Sequence, residues 1–443
     1  MADHLLIEPL DQAFSVSLCP PGSKSLTNRA VLLAALSSGT CDLSGLLCAD
    51  DAHRMREALI TLGINWQATS PTTATITGNS GTFPKADAKL LLGNAGTATR
   101  FLTAACCLGT GIRTIDGIAR MRERPIGQLV DPLRQLGAKI DYQANDGFLP
   151  LRIEAGGMHG GKITLQPTLS SQYISALLMI APYLTEPTEK LPGGGLTIDF
   201  DGQPISIPYI TMTLSLMRQF GIEADIAPGF TSITVPQGVY KPVNLHIEPD
   251  ASNASYFSAA AAITPASKCT IKGLGFRSVQ GDAGFAEVLQ LMGASVICEP
   301  DSITVISPPE GEKLVGIDID LNHMPDMAQT LAAVAYFADG PTTIRNVGNL
   351  RVKETNRMAA IQVELMKLGA EVDIEGDDII ITPPANPMLP ADETVTINTY
   401  DDHRMAMSFA VIGLRKPGVI LEDPTCVNKT FPDFYDYLTL LRK

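Results

Sequence analysis

The feature that most constrains the fold of this chain is a helix-ending glycine that recurs five times. Each of these glycines follows an apolar stripe at helical spacing and precedes a short strand of alternating character. Glycine suits the left-handed position that ends a helix, because it has no Cβ to clash there. Their spacing of roughly 70 to 85 residues predicts a repeated α/β unit. The five are Gly63, Gly137, Gly221, Gly293 and Gly369.

Chain length and the number of these units together predict two lobes. At 443 residues the chain is too long for one ordinary core, and two domains of about 200 residues fit it better. A sixth helix is predicted near residues 432–441, and we expect a strand at residues 14–18 to complete this last unit. Both termini then belong to one lobe, residues 1–21 plus 250–443, and residues 22–249 form the other.

The acidic balance of the chain argues against two classes of partner. Its formal net charge is −14, whereas nucleic acids and anionic membranes bind basic surfaces. No apolar stretch reaches spanning length, and the N-terminus lacks a basic leader. The eight cysteines have neither metal-type nor disulfide-type spacing, which indicates reduced core thiols. We therefore expect a cytoplasmic protein with no nucleic-acid or membrane partner.

Two segments of small residues, each with a cation, suit anion binding. Residues 21–29 (PGSKSLTNR) run from a turn into a predicted helix start, where free N–H groups and Lys24 attract anions. Residues 92–100 (LGNAGTATR) repeat this arrangement, and their small side chains let a ligand approach the backbone. The first segment is not a P-loop, because Ser17 stands where the first P-loop glycine belongs.

Polar and charged groups cluster at further predicted helix starts. A run of neutral donors at residues 170–173 (SSQY) suits phosphate oxygens, and four charged segments follow, at 322–326 (NHMPD), 351–357 (RVKETNR), 400–407 (YDDHRMAM) and 428–432 (NKTFP). One such group is usually a solvated face, but several in a chain with few basic residues indicate a binding site. No histidine has metal-ligand spacing, and hydrolase and dinucleotide motifs are absent. The sequence predicts a binding site for small anions and gives no sign of a metal or a bound cofactor.

In combination these segments resemble the EPSP synthase family of enolpyruvyl transferases. PGSKSLTNR, LGNAGTATR, RMRERPI, SSQY, NHMPD to RVKETNR, DDHRMAM and NKTFPDF occur in the family's order across residues 20–434. The resemblance implies an α/β fold of two lobes, each made of three βαβαββ units, with substrates in the cleft between the lobes. It also implies a glyphosate target of the shikimate pathway, which leads to chorismate and the aromatic amino acids.

The implied reaction moves the enolpyruvyl (1-carboxyvinyl) group of phosphoenolpyruvate to the 5-hydroxyl of shikimate 3-phosphate and releases phosphate. It is an addition followed by an elimination. The site needs a base, an acid and many cations, because both substrates carry a phosphate and a carboxylate. The resemblance implies these two small molecules as partners, a monomer, and neither cofactor nor metal.

The resemblance also assigns residues to roles. In the catalytic set, Asp326 is the base for the 5-hydroxyl and Glu354 the proton shuttle at C3. Lys24 and Lys429 act as acids toward the phosphate bridge, and His403 orients Glu354. The residues implied to bind shikimate 3-phosphate are Lys24, Ser25, Arg29, Ser170, Ser171, Gln172, Ser206, Tyr209, Asp326, Asn349 and Lys353. Those implied to bind phosphoenolpyruvate are Lys24, Asn94, Gly96, Thr97, Arg124, Gln172, Arg357, Arg404 and Lys429.

Two departures from the family pattern and two rival functions stay open. Phe101 stands where many members carry proline, and its bulk leaves the response to glyphosate open; Ile207 stands where a lysine is frequent. UDP-N-acetylglucosamine enolpyruvyl transferases share the donor and the fold but rely on a loop cysteine, and residues 120–124 contain none. The other rival is a non-catalytic anion-binding protein, against which Asp326 and Glu354 argue.

Overall fold

The computed structural model describes residues 3–166, 170–185, 194–387 and 394–442. The chain divides into two lobes. Met1–Pro21 and Glu248–Lys443 together form the terminal lobe, and Gly22–Ile247 form the inserted lobe. Within the described ranges, no helix combines the length and the apolar character that crossing a membrane requires.

The strands are short and occur in both lobes. The terminal lobe begins with β1 (His4–Leu6) and β2 (Ser15–Leu18). The inserted lobe contributes β3 (Thr40–Ser44), β4 (Asn65–Ser70), β5 (Thr73–Thr77), β6 (Ala88–Leu91), β7 (Gly111–Asp116), β8 (Lys139–Tyr142), β9 (Leu151–Ala155), β10 (Gly161–Leu165), β11 (Gly195–Phe200), β12 (Asp225–Ile226), β13 (Ser232–Pro236) and β14 (Asn244–His246). The terminal lobe continues with β15 (Lys268–Lys272), β16 (Ser295–Cys298), β17 (Ser302–Ile306), β18 (Asp318–Asp320), β19 (Thr342–Arg345), β20 (Glu371–Glu375), β21 (Asp378–Thr382), β22 (Val395–Ile397) and β23 (Val419–Glu422).

Helices alternate with these strands. Those of the inserted lobe are α1 (Lys24–Leu36), α2 (Asp50–Thr61), α3 (Gly96–Ala105), α4 (Ala119–Glu123), α5 (Gly127–Gln135), α6 (Ser171–Ile180) and α7 (Ile207–Gln219). Those of the terminal lobe are α8 (Ala251–Ile263), α9 (Phe285–Leu291), α10 (Ala328–Ala335), α11 (Arg357–Lys367), α12 (His403–Gly413) and α13 (Phe434–Leu440).

One pairing pattern recurs in the sheets of both lobes. In a complete βαβαββ unit the first two strands are parallel, and the fourth strand pairs antiparallel with both the second and the third. Uninterrupted examples are β6-β7-β9-β8 and β10-β11-β13-β12 in the inserted lobe and β18-β19-β21-β20 in the terminal lobe. The α/β fold built of repeated units, predicted from the sequence, is confirmed.

Two further sheets each take their first strand from a part of the chain that is distant in sequence from their other strands. The inserted sheet β14-β3-β5-β4 takes its first strand from the end of that lobe, and the terminal sheet β2-β15-β17-β16 takes its first strand from the N-terminal segment. Strand β2 therefore leads into α1 of the inserted lobe, and β14 leads into α8 of the terminal lobe.

The last unit is completed by a different strand from the one predicted. Strand β2, at the predicted position, pairs in parallel with β15, so that Ser15 lies opposite Lys268. It is β1 that pairs antiparallel with β23, with Leu5 opposite Leu421, and it takes the fourth-strand position in the sheet β1-β23-β22. The prediction of residues 14–18 was wrong because the three-residue β1 is too short to stand out as an alternating pattern.

The five helix-ending glycines have the conformation that the sequence predicts. Their φ angles lie between 86° and 111°, in the left-handed region. Each is followed by a residue whose backbone N–H donates to a carbonyl five positions earlier, as Ile64 does to Leu59. This pairing is the Schellman arrangement, and it satisfies carbonyls that would otherwise lack a partner at a helix end. The turn into the following strand is thus fixed locally in α2, α5, α7, α9 and α11.

Helices that are buried on all sides form the centre of each lobe. In the inserted lobe α3 packs against both α1 and α6, and in the terminal lobe α8, α10 and α12 pack against one another. All residues of α3, α8 and α12 are buried, as expected of helices without a solvent face. Burial on this scale supplies the hydrophobic free energy that holds each lobe together.

The boundary after the inserted lobe lies two residues earlier than the sequence suggests. Glu248 and Pro249, which the sequence analysis places in the inserted lobe, belong to the terminal lobe. The Glu248 carboxylate accepts hydrogen bonds from Ser278 Oγ (2.5 Å) and Gln280 Nε2 (3.1 Å), and these contacts attach this segment to the terminal lobe.

All eight cysteines lie in the described ranges and are free thiols. Five are buried, and burial raises the pKa of Cys106 and Cys269 to about 12, so these thiols stay protonated. Cys19, Cys48 and Cys298 are exposed, so the prediction of core thiols is wrong for these three. Cys48 lies in a loop, Cys19 directly follows β2, and Cys298 is the last residue of β16.

Candidate active site

Most of the predicted site residues lie at or just before the N-terminus of a helix. These helices follow the parallel strands of each unit, and their first N–H groups have no partner inside the helix. The N-terminus also carries a partial positive charge, which favours bound anions. The helices concerned are α1, α3, α5, α6 and α7 in the inserted lobe and α10, α11 and α12 in the terminal lobe. The site residues of the inserted lobe are called the inserted half-site, and those of the terminal lobe the terminal half-site.

Lys24 opens α1 and lies beside a buried carboxylate. The Ser23 hydroxyl caps the helix by accepting from Leu26 N at 3.4 Å. Lys24 Nζ is 3.8 Å from Asp51 Oδ2, and the Asp51 carboxylate is almost completely buried. Ser25 follows Lys24 in the first turn of the helix. Asp51 was not predicted as a site residue, although its place in the first turn of α2 is a recognisable signal.

The start of α3 lies between two arginines. A Cβ added to Gly96 would lie 2.8 Å from Arg100 Nη1 and 2.9 Å from both terminal nitrogens of Arg124. Arg124 Nη1 donates to the Asn94 side chain at 3.3 Å, and Arg100 Nη1 donates to the Gly96 carbonyl at 3.1 Å. Only a glycine leaves this space open between two buried guanidinium groups. Arg100 was quoted with its motif but not predicted as part of the site.

The starts of α3 and α6 meet in the inserted half-site. Gln172 Nε2 donates to Thr97 Oγ1 at 3.3 Å, and the Ser170 hydroxyl caps α6 by accepting from Gln172 N at 3.2 Å. Ser171 is the first residue of α6 and is buried. The neutral donors at residues 170–173 thus include the cap of α6, Ser170, and a side chain, Gln172, that contacts the start of α3.

Ser206 and Tyr209 lie at the start of α7. Ser206 has φ 54°, a left-handed conformation that costs a residue with a Cβ about 1 kcal/mol. Strain of this kind is found where surrounding structure imposes it, often at functional sites. The Tyr209 backbone carbonyl accepts from Arg29 Nη2 at 3.2 Å, which ties this helix start to α1.

Arg29 is buried among groups of its own lobe. Its Nε donates to Thr213 Oγ1 at 2.7 Å, and its Nη2 also donates to Ser175 Oγ at 3.2 Å. The guanidinium carbon lies 5.0 Å from the centre of the Phe101 ring, within cation–π range. Burial lowers the pKa of Arg29 to about 10, so it is still a cation at neutral pH. Phe101, which stands where many family members carry proline, therefore packs directly against Arg29, one of the predicted ligand residues.

Arg357 is the centre of the terminal half-site. Its guanidinium donates to three carboxylates: Nε to Asp402 Oδ2 at 2.7 Å, Nη1 to Asp326 Oδ1 at 3.1 Å, and Nη2 to Glu354 Oε2 at 3.0 Å. The side chain is 1% exposed. These carboxylates raise the pKa of Arg357 despite its burial, so the group stays charged. Hydrogen bonds between ionised partners are strong in such dry surroundings.

Asp326 is surrounded by cations. Besides Arg357, its carboxylate accepts from Arg404 Nη2 at 3.0 Å and from Lys353 Nζ at 3.4 Å. It lies in the short 3-10 turn that precedes α10, whereas Arg404 belongs to the first turn of α12. Arg404 Nη1 also donates to the Tyr256 hydroxyl at 3.4 Å. The starts of α10, α11 and α12 therefore meet at one cluster of opposite charges.

Three further predicted residues lie in or beside this cluster. Asn349 belongs to a 3-10 turn, and its buried Oδ1 has no hydrogen-bond partner among the described residues. His403 Nδ1 lies 3.7 Å from Asp402 Oδ1. Lys429 is buried at the end of another 3-10 turn, and its charge acts on Asp401.

Asp402 is a central residue that the sequence analysis did not single out. Its carboxylate is fully buried, binds Arg357 through both oxygens and caps α12 by accepting from Arg404 N at 2.9 Å. The cap position before His-Arg was visible in the sequence. Its bidentate contact with Arg357 was not visible, because the two residues lie 45 positions apart.

Asp401 gives a prediction on stability and pH. Burial, and then the nearby Asp423, raise the pKa of Asp401. Its ionisation therefore opposes folding, a penalty that is absent below about pH 4 and grows as the pH rises through the folded pKa. Its φ of 53° is one that asparagine tolerates. We expect Asp401→Asn to raise Tm at pH 7.5 by about 1 °C.

Thermal unfolding at pH 7.5 and pH 4 checks this, with Asp225→Asn as a control, since Asp225 is exposed in β12. The gain should shrink at pH 4 and be absent from the control. A gain that is the same at both pH values would show that ionisation of Asp401 is not the cause.

Comparison with known proteins identifies relatives over the whole chain. The family model of EPSP synthase (3-phosphoshikimate 1-carboxyvinyltransferase) matches residues 11–438. A chloroplastic 3-phosphoshikimate 1-carboxyvinyltransferase of Arabidopsis thaliana is 45% identical over 100% of this chain and 85% of its own length. The 3-phosphoshikimate 1-carboxyvinyltransferase of Vibrio atlanticus (strain LGP32) is 45% identical over 99% of both chains.

Solved structures agree with these relatives. The 2.37 Å structure of EPSP synthase from Acinetobacter baumannii superposes with a TM-score of 0.80 at 25% identity, covering 99% of this chain and 98% of that one. The enolpyruvyl transferase NikO from Streptomyces tendae gives a TM-score of 0.74 at 17% identity, covering 99% and 97%. At that identity NikO supports the fold alone.

Proposed function

This chain belongs to the EPSP synthase family, and we propose how its residues carry out the family's reaction. The reaction transfers the 1-carboxyvinyl group of phosphoenolpyruvate to the 5-hydroxyl of shikimate 3-phosphate. In the addition step the 5-oxygen bonds to C2 of phosphoenolpyruvate, the hydroxyl proton leaves, and C3 gains a proton to become a methyl group. In the elimination step the C2–O bond to phosphate breaks and the methyl group loses a proton, so that phosphate and the enol ether are released.

The observation that carries this proposal is the cluster in which Arg357 and Arg404 hold Asp326 and Glu354. Two carboxylates suited to proton transfer lie within hydrogen-bond reach of the cations that an anionic substrate needs. A guanidinium fork is matched to a carboxylate, and so Arg357 and Arg404 are proposed to bind that of phosphoenolpyruvate. An arriving carboxylate then competes with Asp326 for the arginines and frees it to act as a base.

Shikimate 3-phosphate is proposed to bind mainly through the inserted half-site. The starts of α6 and α7 supply hydroxyl and backbone N–H donors without formal charge, which suits a phosphate at a helix N-terminus. In the terminal lobe the orphaned Asn349 Oδ1 is an acceptor suited to a substrate hydroxyl. The proposed ligands are Lys24, Ser25, Arg29, Ser170, Ser171, Gln172, Ser206, Tyr209, Asp326, Asn349 and Lys353.

Phosphoenolpyruvate is proposed to use residues of both half-sites. In the inserted lobe, the open space over Gly96 exposes the α3 start to the Arg124 guanidinium, an arrangement suited to a phosphate. In the terminal lobe, Lys429 is proposed to bind phosphoenolpyruvate together with Arg357 and Arg404. The proposed ligands are Lys24, Asn94, Gly96, Thr97, Arg124, Gln172, Arg357, Arg404 and Lys429.

The proton transfers are proposed to involve four groups. Asp326 takes the proton of the 5-hydroxyl, and Glu354 delivers and later removes the proton at C3. Lys24 and Lys429 protonate the bridging oxygen as phosphate leaves. His403 Nδ1 lies 3.7 Å from Asp402 Oδ1, so we propose that His403 acts on Glu354 through the group that Asp402 and Arg357 form.

A phosphate-release assay tests the function. The purified chain should release inorganic phosphate only when both phosphoenolpyruvate and shikimate 3-phosphate are present, with one enol ether formed per phosphate. Release from phosphoenolpyruvate with UDP-N-acetylglucosamine instead would support the sister activity. Binding of both substrates without release would support a non-catalytic anion-binding protein.

Gly96 gives a prediction about one substrate. Because a Cβ at this position would lie 2.8–2.9 Å from the Arg100 and Arg124 guanidinium groups, Gly96→Ala must displace one of them. We expect the KM for phosphoenolpyruvate to rise by about tenfold or more, equivalent to about 1.4 kcal/mol. The KM for shikimate 3-phosphate should change by less than about twofold.

Initial-rate kinetics with each substrate varied in turn checks this prediction. Ala98→Gly is the control, since Ala98 is buried in the same helix turn and the change adds no atom. Equal rises in both KM values would contradict it. The same assay with glyphosate measures how the enzyme with Phe101 responds to that inhibitor.

We also propose that the chain works as a monomer in the cytoplasm. Eight free thiols are typical of a reducing compartment. The bacterial relatives are named without a compartment, and the plant relatives are named chloroplastic. Sedimentation that gives a mass near 47.2 kDa would agree with a monomer, and a mass twice as large would contradict it.

A further inference from the structure

A buried carboxylate outside the reaction scheme lies two turns along the helix that begins with Arg357. Glu364 is seven residues further along α11, is fully buried, and is not among the residues proposed to touch a substrate. Its Oε1 accepts from the Tyr400 hydroxyl at 2.7 Å. Its Oε2 accepts from Asn398 N at 3.1 Å and from Lys367 Nζ at 2.6 Å. Burying a charge is costly, so a carboxylate with these specific partners calls for an explanation.

Two of the three partners of Glu364, Asn398 and Tyr400, belong to the loop that leads into α12. Tyr400 and Asp401 have φ angles of 56° and 53°, two successive left-handed residues that are not glycine. A residue with a Cβ is strained in this conformation, so the loop adopts this shape only because its surroundings impose it. Asn398 Oδ1 accepts from Tyr400 N at 2.7 Å, and the two hydrogen bonds to Glu364 hold the same residues from the α11 side.

The end of this loop is the residue that orients Arg357. Asp402 directly follows the two left-handed residues, contacts Arg357 with both carboxylate oxygens and caps α12. Arg404 comes two residues later. These contacts form a closed series. Helix α11 contains both Arg357 and Glu364, Glu364 accepts a hydrogen bond from Tyr400, and Asp402, at the end of the Tyr400 loop, contacts Arg357.

We propose that Glu364 is a positioning residue for the phosphoenolpyruvate site. By fixing the Tyr400 loop it sets the place of Asp402 and, through it, the orientation of the Arg357 and Arg404 guanidinium groups. This inference rests on the proposed function, in which those two arginines bind the phosphoenolpyruvate carboxylate. Glu364 itself touches no substrate.

The rival explanation is that Glu364 only stabilises the fold through its ion pair with Lys367. The two explanations differ in what they predict for Lys367, which is on the solvent side of Glu364, 39% exposed. Lys367 also donates to the Thr396 carbonyl at 3.3 Å, but among the described residues it makes no hydrogen bond or ion pair with residues 398–402. Lys367→Met therefore removes the ion pair and leaves the loop contacts in place.

The experiment compares E364Q, Y400F and K367M with the wild type in the phosphate-release assay, varying each substrate in turn. Y400F removes one hydroxyl and keeps the ring, and E364Q keeps the shape of the side chain. We expect Y400F and E364Q to raise the KM for phosphoenolpyruvate by about fivefold to tenfold, near the upper end of the net contribution of one ordinary hydrogen bond. The KM for shikimate 3-phosphate should stay within about twofold of the wild type in all three variants. In K367M the KM for phosphoenolpyruvate should also stay within about twofold of the wild type.

Each outcome decides the proposal. A lower kcat with unchanged KM values, as expected from a smaller folded fraction, would overturn it, and so would equal rises for both substrates. A rise in K367M that matches E364Q would favour the ion-pair explanation. If E364Q fails to fold, Y400F alone decides. A wild-type chain that releases no phosphate would instead contradict the proposed function, so the two failures are distinguishable.

Discussion

Asp326→Asn is expected to lower kcat by about a thousandfold, the range that a positioned general base contributes. Asparagine keeps the shape of the side chain but cannot accept the proton of the 5-hydroxyl. The Arg357 and Arg404 guanidinium groups that contact Asp326 at 3.1 Å and 3.0 Å stay in place, so substrate binding should change far less. We expect both KM values to stay within about fivefold of the wild type.

Steady-state kinetics with isothermal titration of shikimate 3-phosphate checks this expectation. Asp318→Asn is the matched control, because Asp318 also pairs with an arginine, Arg345, but on the exposed surface of the same lobe. It should leave kcat unchanged. A loss of affinity in Asp326→Asn as large as the loss of kcat/KM would mean that Asp326 serves binding and is not the base.

Arg357→Lys is expected to combine a loss of activity with a loss of stability. Lysine keeps the charge but loses the fork that contacts Asp402, Asp326 and Glu354 together. At least one buried carboxylate then lacks its partner, which costs about 3 kcal/mol of the free energy of unfolding. We expect kcat/KM for phosphoenolpyruvate to fall by about a thousandfold, since the substrate carboxylate loses its bidentate partner.

Thermal unfolding and initial rates measure the two effects separately. The stability loss corresponds to a fall in Tm of about 6–10 °C for a lobe of this size. Arg345→Lys is the control, because Arg345 makes a similar two-nitrogen contact with Asp318 at 46% exposure. It should change Tm by less than about 2 °C. A stable Arg357→Lys enzyme with wild-type kcat/KM would contradict the role given to this arginine.

Much of the fold is predictable from local sequence signals. The helix-ending glycines report a backbone conformation that few other residues adopt, so Gly63 and its four counterparts mark the repeat directly. Helix starts are readable for the same reason, since Ser23 and Ser170 cap their helices with their own side chains. These signals need no knowledge of distant contacts.

What local sequence does not specify is the pairing of distant segments. Strand β1 pairs with β23 and strand β2 pairs with β15, and these pairings depend on which strand edge each segment reaches in the fold. A strand of three residues such as β1 is too short for its sequence pattern to predict its partner. Asp402 and Glu364 escaped notice for a related reason. Their importance comes from contacts with Arg357 and Tyr400, 45 and 36 residues away along the chain.

The site residues taken from the family resemblance divide into two groups in the structure. Asp326, Glu354, Arg357 and Arg404 form one connected cluster of hydrogen bonds. Arg29, in contrast, donates hydrogen bonds to Thr213, to Ser175 and to backbone carbonyls of its own lobe. Arg29 and Arg357 each make four hydrogen bonds with their five N–H groups, so the proposed binding of a substrate uses the fifth N–H group or an exchange of partners.

The most direct test of the account is the position of solvent deuterium in the product. The reaction is run in D₂O with phosphoenolpyruvate and shikimate 3-phosphate, and the enol ether is analysed by mass spectrometry and proton NMR. Addition followed by elimination passes through a methyl group at C3, so deuterium should appear on the vinyl carbon of the product, and Asp326→Asn should form almost none of this product. An enol ether that carries no solvent deuterium would contradict the addition–elimination route.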